Sequence, residues 1–246
     1  MQSAEYEKLD RIDAEHWFYR GKRAIVRHFI KKHTTLTKDD VLIDAGTGTG
    51  RWPVAMSKRC QVIGLDDHDE SIQLARPKIE SVGGRLVQTK LDAIPLPDGC
   101  AKVVTAMDVL EHLDDDAGAV KELARLLQPG GLFVITVPAL RWLWSDWDVV
   151  LHHRRRYHRP DLQQLLNHPD LEVVHLNYTN SLALPLILLV RMWRKLFPPR
   201  PEAARAEDKV PPRFLNSILR ALYVYPARWG WPMPVGVSLL AVVRKR

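Results

Sequence analysis

Val41-Leu42-Ile43-Asp44-Ala45-Gly46-Thr47-Gly48-Thr49-Gly50 is an apolar burst that ends in an acid and then sets a glycine at every second position. A buried parallel strand reads as a short continuous apolar run. Glycines directly behind it let the backbone take positive φ and approach a ligand with no Cβ in the way. A helix is expected next, because Pro53 is tolerated in a first turn and Val54, Ala55 and Met56 continue an apolar face. Strand, glycine turn and helix form the nucleotide-binding corner of a doubly wound sheet.

Spacing narrows the ligand. Dinucleotide sites use GxGxxG, since a pyrophosphate must rest on the helix N-terminus. Here the order is GxGxG, with Asp44 two positions ahead of Gly46. Cys60 to Leu65 reads as a second strand, and Asp66 ends it twenty positions after Gly46. A carboxylate about 20 residues on accepts from ribose hydroxyls in such sheets, and two adjacent hydroxyls suit its two acceptor oxygens. The competing reading is that Asp66 or Asp67 caps a helix starting near Asp69.

The glycine run with its preceding acid resembles motif I of the class I S-adenosylmethionine-dependent methyltransferases. Leu91-Asp92-Ala93-Ile94-Pro95 looks like the loop after strand three in members acting on small molecules, where the acid matching Asp92 accepts from the adenine amino group. Val103 to Met107 reads as strand four, followed by Asp108-Val109-Leu110-Glu111-His112-Leu113. Leu123-Ala124-Arg125-Leu126-Leu127-Gln128-Pro129-Gly130-Gly131 resembles the family's RvLkPGG turn, which leads into strand five, Leu132 to Val137. Lys102 departs from the pattern, which has an acid at this structural position. The resemblance implies a Rossmann-like α/β sandwich of seven strands, the last one antiparallel. It also implies S-adenosyl-L-methionine as cofactor and S-adenosyl-L-homocysteine as product. Asp44, Gly46, Thr47, Gly48, Gly50, Asp66, Asp67, Asp92 and Asp108 are the residues it assigns to that cofactor.

On this frame residues 1–37 form an N-terminal helical lid and residues 38–246 the methyltransferase domain. Ile25, Val26, Phe29 and Ile30 recur at helical spacing. His16-Trp17-Phe18-Tyr19-Arg20 resembles the "HWWf…R" segment of one subgroup, where it covers the cofactor. Arg20 or Arg23 then pairs with the cofactor's carboxylate, a geometry that suits guanidinium. The alternative is an ordinary helix docked on the sheet with both arginines in water.

Ligands bind beyond the carboxyl ends of the strands, so the segment 138–170 after strand five should hold the acceptor. Its residues Trp142-Leu143-Trp144-Ser145-Asp146-Trp147-Asp148 and His153-Arg154-Arg155-Arg156-Tyr157 resemble the subgroup's "lwS.hD…gH.RRY" signature. Trp147 replaces a histidine and His152 a glycine. His153 with Asp148 is a candidate base and orienting carboxylate, or else a lock on the loop; His112 is the other candidate, more readily a pocket-lining residue. Trp144, Arg155, Arg156 and Tyr157 are candidate substrate contacts. The adjacent pair His152-His153 has no accompanying spaced set of ligands, so no metal is expected.

Residues 181–228 read as an insertion of two apolar helical stretches. Leu182 to Val190 is too short to span a bilayer, which needs about 20 apolar residues. The insertion therefore packs on the sheet, forms a lid or a dimer face, or lies on an anionic membrane surface. Pro198 to Arg213 reads as an exposed loop.

Composition sets the outer bounds. The chain of 246 residues has 46% hydrophobic content and a net charge of +7, which fits a globular α/β domain with an anionic partner or surface. Two cysteines give no disulfide framework, and Met1-Gln2-Ser3-Ala4-Glu5 lacks the order of a secretory signal. The expected location is cytoplasmic, and peripheral contact at the inner membrane face is the alternative that the insertion leaves open. The expected activity is methyl transfer to a small-molecule or lipid-like acceptor, with oxygen as the preferred atom. Basicity leaves a nucleic-acid (RNA) methyltransferase as a rival, although Asp108-Val109-Leu110-Glu111 stands where enzymes of base amino groups carry Asn/Asp-Pro-Pro-aromatic. A non-catalytic cofactor-binding scaffold is the rival from another class.

Overall fold

The computed structural model describes residues 3–196 and 210–246, so most of the loop expected over 198–213 lies outside the described residues. In chain order the elements are α1 (Ser3–Glu15), α2 (Trp17–His33), β1 (Val41–Ala45), α3 (Arg51–Met56), β2 (Gln61–Asp66), α4 (Asp69–Glu80), β3 (Arg85–Gln88) and β4 (Ala101–Met107). They continue with α5 (Asp116–Arg125), β5 (Leu127–Pro138), α6 (Asp146–Val150), α7 (Arg159–Leu165), β6 (Leu171–Thr179), α8 (Leu184–Leu196), α9 (Arg213–Trp229) and β7 (Ser238–Lys245).

One seven-stranded sheet has the order β3-β2-β1-β4-β5-β7-β6. β1 pairs in parallel with β2 on one side and β4 on the other, and β7 runs antiparallel between β5 and β6. Strand order reverses between β1 and β4. That reversal opens a crevice at the carboxyl ends of these strands, where ligands of such sheets bind. β1 and β4 are apolar and buried along nearly their whole length because helices cover both faces.

The two faces have separate cores. Val120 and Leu123 of α5 and Leu162 of α7 pack on one. Ile25, Val26 and Phe29 of α2, Trp52 and Met56 of α3, and Tyr223 and Ala227 of α9 pack on the other. α2 and α9 lie side by side, close enough that a Cβ on Gly21 would fall 2.6 Å from Tyr223 Cδ1. Asn216 of α9 clamps the α1–α2 joint: its Oδ1 accepts from Trp17 N at 2.7 Å and its Nδ2 donates to Glu15 O at 2.8 Å. α2 is thus docked on the sheet, although Arg23 is paired with Asp13 rather than left in water.

α1 reaches the glycine turn instead. Asp10 accepts from Arg51 Nε at 2.8 Å and Nη2 at 2.7 Å, and Asp13 takes both the Thr49 hydroxyl and Arg23.

The insertion also divides its faces. Tyr223, Val224 and Ala227 of α9 are buried, while Phe214, Ile218, Leu222, Tyr225 and Trp229 recur at helical spacing on the outside. Phe214 is 80% exposed and Trp229 65%. No helix among the described residues is long and apolar enough to cross a membrane.

Two departures from the sequence pattern have visible consequences. Lys102 donates to Asp40 Oδ2 at 3.0 Å, a structural tie outside the crevice. His152 replaces a glycine yet keeps the left-handed turn, with φ 56°, a conformation in which His is several-fold over-represented among non-glycine residues.

Candidate active site

The glycine turn is built from positive φ values of 66° at Gly46, 52° at Gly48 and 76° at Gly50. A Cβ on Gly46 would lie 2.5 Å from Val109 Cγ2, so only glycine lets β1 turn against the loop after β4. Nothing lies within 4 Å of a Cβ built on Gly48; the turn faces open space there. Asp66, at the end of β2, accepts from Gly48 N at 2.8 Å and His68 N at 3.1 Å. Its carboxylate thereby sets the glycine loop and stands at the crevice edge.

Other expected cofactor residues are turned differently. Asp44 is buried, accepting from Thr105 Oγ1 at 2.8 Å and Thr47 Oγ1 at 3.1 Å. Burial pushes its carboxyl up to about 8. Asp44 and Thr47 therefore brace the turn from within rather than present side chains to a ligand. Asp108 departs from expectation in the same way: Thr136 Oγ1 donates to it at 2.9 Å and Lys22 holds its other oxygen. Asp67 is half-exposed beside His68, and Asp92 is exposed. Arg20 is exposed on α2, whereas Arg23 is paired with Asp13 and so is not free for a cofactor carboxylate. Between them Lys22 is buried, its ammonium 4.3 Å from the Phe18 ring centroid. Burial pulls it down to about 7, against the opposing charges of Glu111 and Asp13.

The acceptor-side segment is stitched onto the loop after β4. Arg154 N donates to Glu111 O and Arg154 Nε to His112 O, both at 2.8 Å. Arg155 Nη2 donates to Leu113 O at 2.9 Å and Asp114 O at 3.0 Å, and its Nη1 pairs with Asp116 at 3.1 Å. Arg156 is buried and forks onto Asp148, with Nε to Oδ1 at 2.7 Å and Nη2 to Oδ2 at 3.0 Å. Tyr157 is buried and donates to Asp116 Oδ2 at 2.6 Å. Arg155, Arg156 and Tyr157, expected at the substrate, hold the loop through these bonds and also line one cavity with Asp116, Arg141 and Asp161. Trp144 is exposed at the rim, 41% accessible.

This stitching brings His153 to His112 and Glu111. His153 Nδ1 lies 2.9 Å from Asp148 Oδ1, which orients the ring and leaves Nε2 facing inward. The His112 and His153 rings meet edge to face at 4.8 Å between centroids. Burial, then the neighbouring His153, pulls His112 down to about 4, so its imidazole is neutral at physiological pH. Glu111 is fully buried, and burial pushes its carboxyl up to about 8.

Residues Lys22, Asp10, Asp13 and the carboxylate of Glu111 were not singled out from sequence. Lys22 had a signal: it occupies a buried register of the Phe18-Lys22-Ile25-Val26-Phe29 stripe, where an apolar residue belongs.

Sheet order, the positive-φ glycine corner and an acid ending β2 define an α/β nucleotide-site protein of the methyltransferase kind. Residues 43–135 match the methyltransferase domain family. A Mycolicibacterium smegmatis protein named "Probable S-adenosylmethionine-dependent methyltransferase" is 30% identical over 166 residues, which span 65% of this chain and 61% of that one. A ubiquinone biosynthesis O-methyltransferase of Idiomarina loihiensis is 33% identical over 110 residues, spanning 42% of this chain and 44% of that one. The YcgJ protein of Bacillus subtilis shares the fold, with a TM-score of 0.60 at 16% identity over 90% of this chain and 97% of that chain. Over residues 43–135 the chain is thus similar to the S-adenosylmethionine-dependent methyltransferases, and it spans about 61% of the length of the Mycolicibacterium smegmatis relative.

Proposed function

We propose that this protein transfers a methyl group from S-adenosylmethionine to an oxygen of a small or lipid-like acceptor. The observation that carries the reading is the open turn at Gly48 beside Asp66. Backbone at Gly46 to Gly50 and the Asp66 carboxylate would hold the donor, which supplies a methyl on a positively charged sulfur. The chain's task is then to align the acceptor and manage its proton. Asp148 fixes the His153 ring through Nδ1, so Nε2 is the atom offered toward the acceptor's proton. The oxygen assignment rests on that candidate base; the name of the Idiomarina loihiensis relative, an O-methyltransferase, agrees with it.

Incubation with methyl-labelled donor and cell extract should place the label in an organic-soluble product in a base-stable ether or base-labile ester. Label appearing only in RNA would replace this reading with the nucleic-acid one. No turnover to S-adenosylhomocysteine with any extract would leave a scaffold.

The lipid-like class draws on the outer stripe of α9. An apolar row capped by Trp229 and Trp231 and flanked by exposed Arg213, Arg220 and Arg228 matches an interfacial helix facing anionic headgroups. The net charge of +7 is complementary to such a surface. The protein should float with anionic but not with neutral vesicles, and a Phe214→Ser, Trp229→Ser double variant should stay in the pellet fraction. Recruitment by neither vesicle would assign the stripe to something other than a bilayer.

A further inference from the structure

The loop after β4 and the segment after β5 converge on three side chains from distant parts of the sequence. One ligand atom each from Glu111, His112 and His153 lies within 4.8 Å of the others. Glu111 is 0% exposed, and neither of its carboxylate oxygens has a hydrogen-bond partner among the described residues. Such a group is costly to leave unpaired, and over nine-tenths of buried polar atoms find a partner.

The surrounding charges do not supply one. Lys22 is held by Asp108, Arg156 by Asp148, Arg154 by Asp114 and Arg155 by Asp116. Each of these four cations already has its own acid, and Glu111 is left over. Protonation alone would not satisfy it either. The closest ring nitrogen, His153 Nε2, is 4.0 Å from Glu111 Oε1, beyond hydrogen-bond reach. A single ion between these atoms would satisfy all three at once.

We infer that Glu111, His112 and His153 form a binding site for a divalent transition-metal ion of zinc-like ligand preference. Two imidazoles and one carboxylate are a ligand set that zinc takes in sites with an open fourth position, whereas magnesium and calcium prefer oxygen throughout. The second shell is in place. Asp148 holds His153 Nδ1 at 2.9 Å, the carboxylate–histidine arrangement that fixes a ligating tautomer and leaves Nε2 for the metal. Asp148 is in turn fixed by Arg156. Bonds of about 2.0–2.2 Å require the three ligand atoms to draw closer by about 1 Å. His112 and His153 are only partly buried, so small rotations of both rings and of the Glu111 carboxylate provide that movement, and His112 a route of entry.

The site stands independently of the methyl-transfer reading; its catalytic use rests on it. An acceptor oxygen in the open position would lose its proton more readily to solvent. The ion, rather than the free His153 ring, would then serve the acceptor.

The test is cobalt uptake by the full chain after chelator treatment, without methyl donor. The expected result is one Co(II) per chain with the visible absorption of a nitrogen-ligated low-symmetry site. Glu111→Gln, His153→Ala and His112→Ala should each weaken uptake about 100-fold or more, since even outer-shell changes cost 10–100-fold. Near-ultraviolet circular dichroism identifies any variant that fails to fold, and the partly exposed His112 variant decides the matter if the two others do. A second cluster, Asp66, Asp67 and His68, is the competing location, so His68→Ala should leave uptake unchanged. No uptake by folded protein, uptake indifferent to the three substitutions, or uptake abolished by His68→Ala would overturn the inference. Because donor binding is measured separately, failure here leaves the methyl-transfer reading standing, and failure there leaves the metal site.

Discussion

Asp148→Ala should cost about 3–5 kcal/mol of stability, the cost of stripping one partner from a buried ion pair, and lower the melting midpoint by about 10 °C or more. Asp148 accepts from Arg156 through both oxygens, from His153, and from Ser145 N at 2.9 Å. Its removal leaves the Arg156 guanidinium buried with the Ala139 carbonyl, at 3.0 Å, as its remaining hydrogen-bond acceptor among the described residues. The pH dependence has a definite sign. Burial alone would raise the Asp148 carboxyl, but hydrogen bonds from His153 and Arg156 outweigh it and hold the group well below the usual carboxylate range. A depressed acid contributes its full stability above its unfolded value of about 3.9 and loses it as pH falls through the folded one. Scanning calorimetry should therefore show the wild type and the variant far apart at pH 7 and converging below about pH 4. Equal midpoints at pH 7 would remove Asp148 as the keystone of the acceptor-side loop.

The second large effect concerns the donor. Asp66→Ala should weaken binding of S-adenosylhomocysteine about 100-fold. Hydrogen bonds to a charged group contribute about 1.5–3 kcal/mol each, and about 1.4 kcal/mol is tenfold, so two ribose contacts reach that figure. The variant also releases Gly48 N and His68 N. Asp66→Asn, which keeps one acceptor oxygen for the loop, separates the two effects and should lose about tenfold. Titration calorimetry reads both. Wild-type affinity in Asp66→Ala would place the ribose elsewhere.

The cofactor corner was legible because its signal is local. Strand, glycines and acid are read within one stretch, and the required backbone conformations at Gly46, Gly48 and Gly50 follow from the lack of a Cβ. The roles of Asp44, Thr47 and Asp108 were not legible. Whether an acid at a strand end points into the crevice or back into the fold depends on donors such as Thr105, Lys22 and Thr136, which come from other elements. Arg155, Arg156 and Tyr157 illustrate the same limit. Their types suit anionic ligands, yet two nearby acids, Asp116 and Asp148, and several backbone carbonyls claim them first. Glu111 could be quoted from the sequence, but its lack of partners emerges only when 148–157 folds back over it.

The seam between α2 and α9 has a consequence for how the chain is made. Trp17 and Asn216 are 199 positions apart, yet they share a hydrogen bond that closes one helical layer. During synthesis the opening helices emerge long before the helix that completes their shelter. Loop closure over such a separation is entropically slow. Ile25, Val26 and Phe29 therefore wait beside a half-built sheet, and a ribosome stalled short of α9 would display a sticky intermediate suited to chaperone capture.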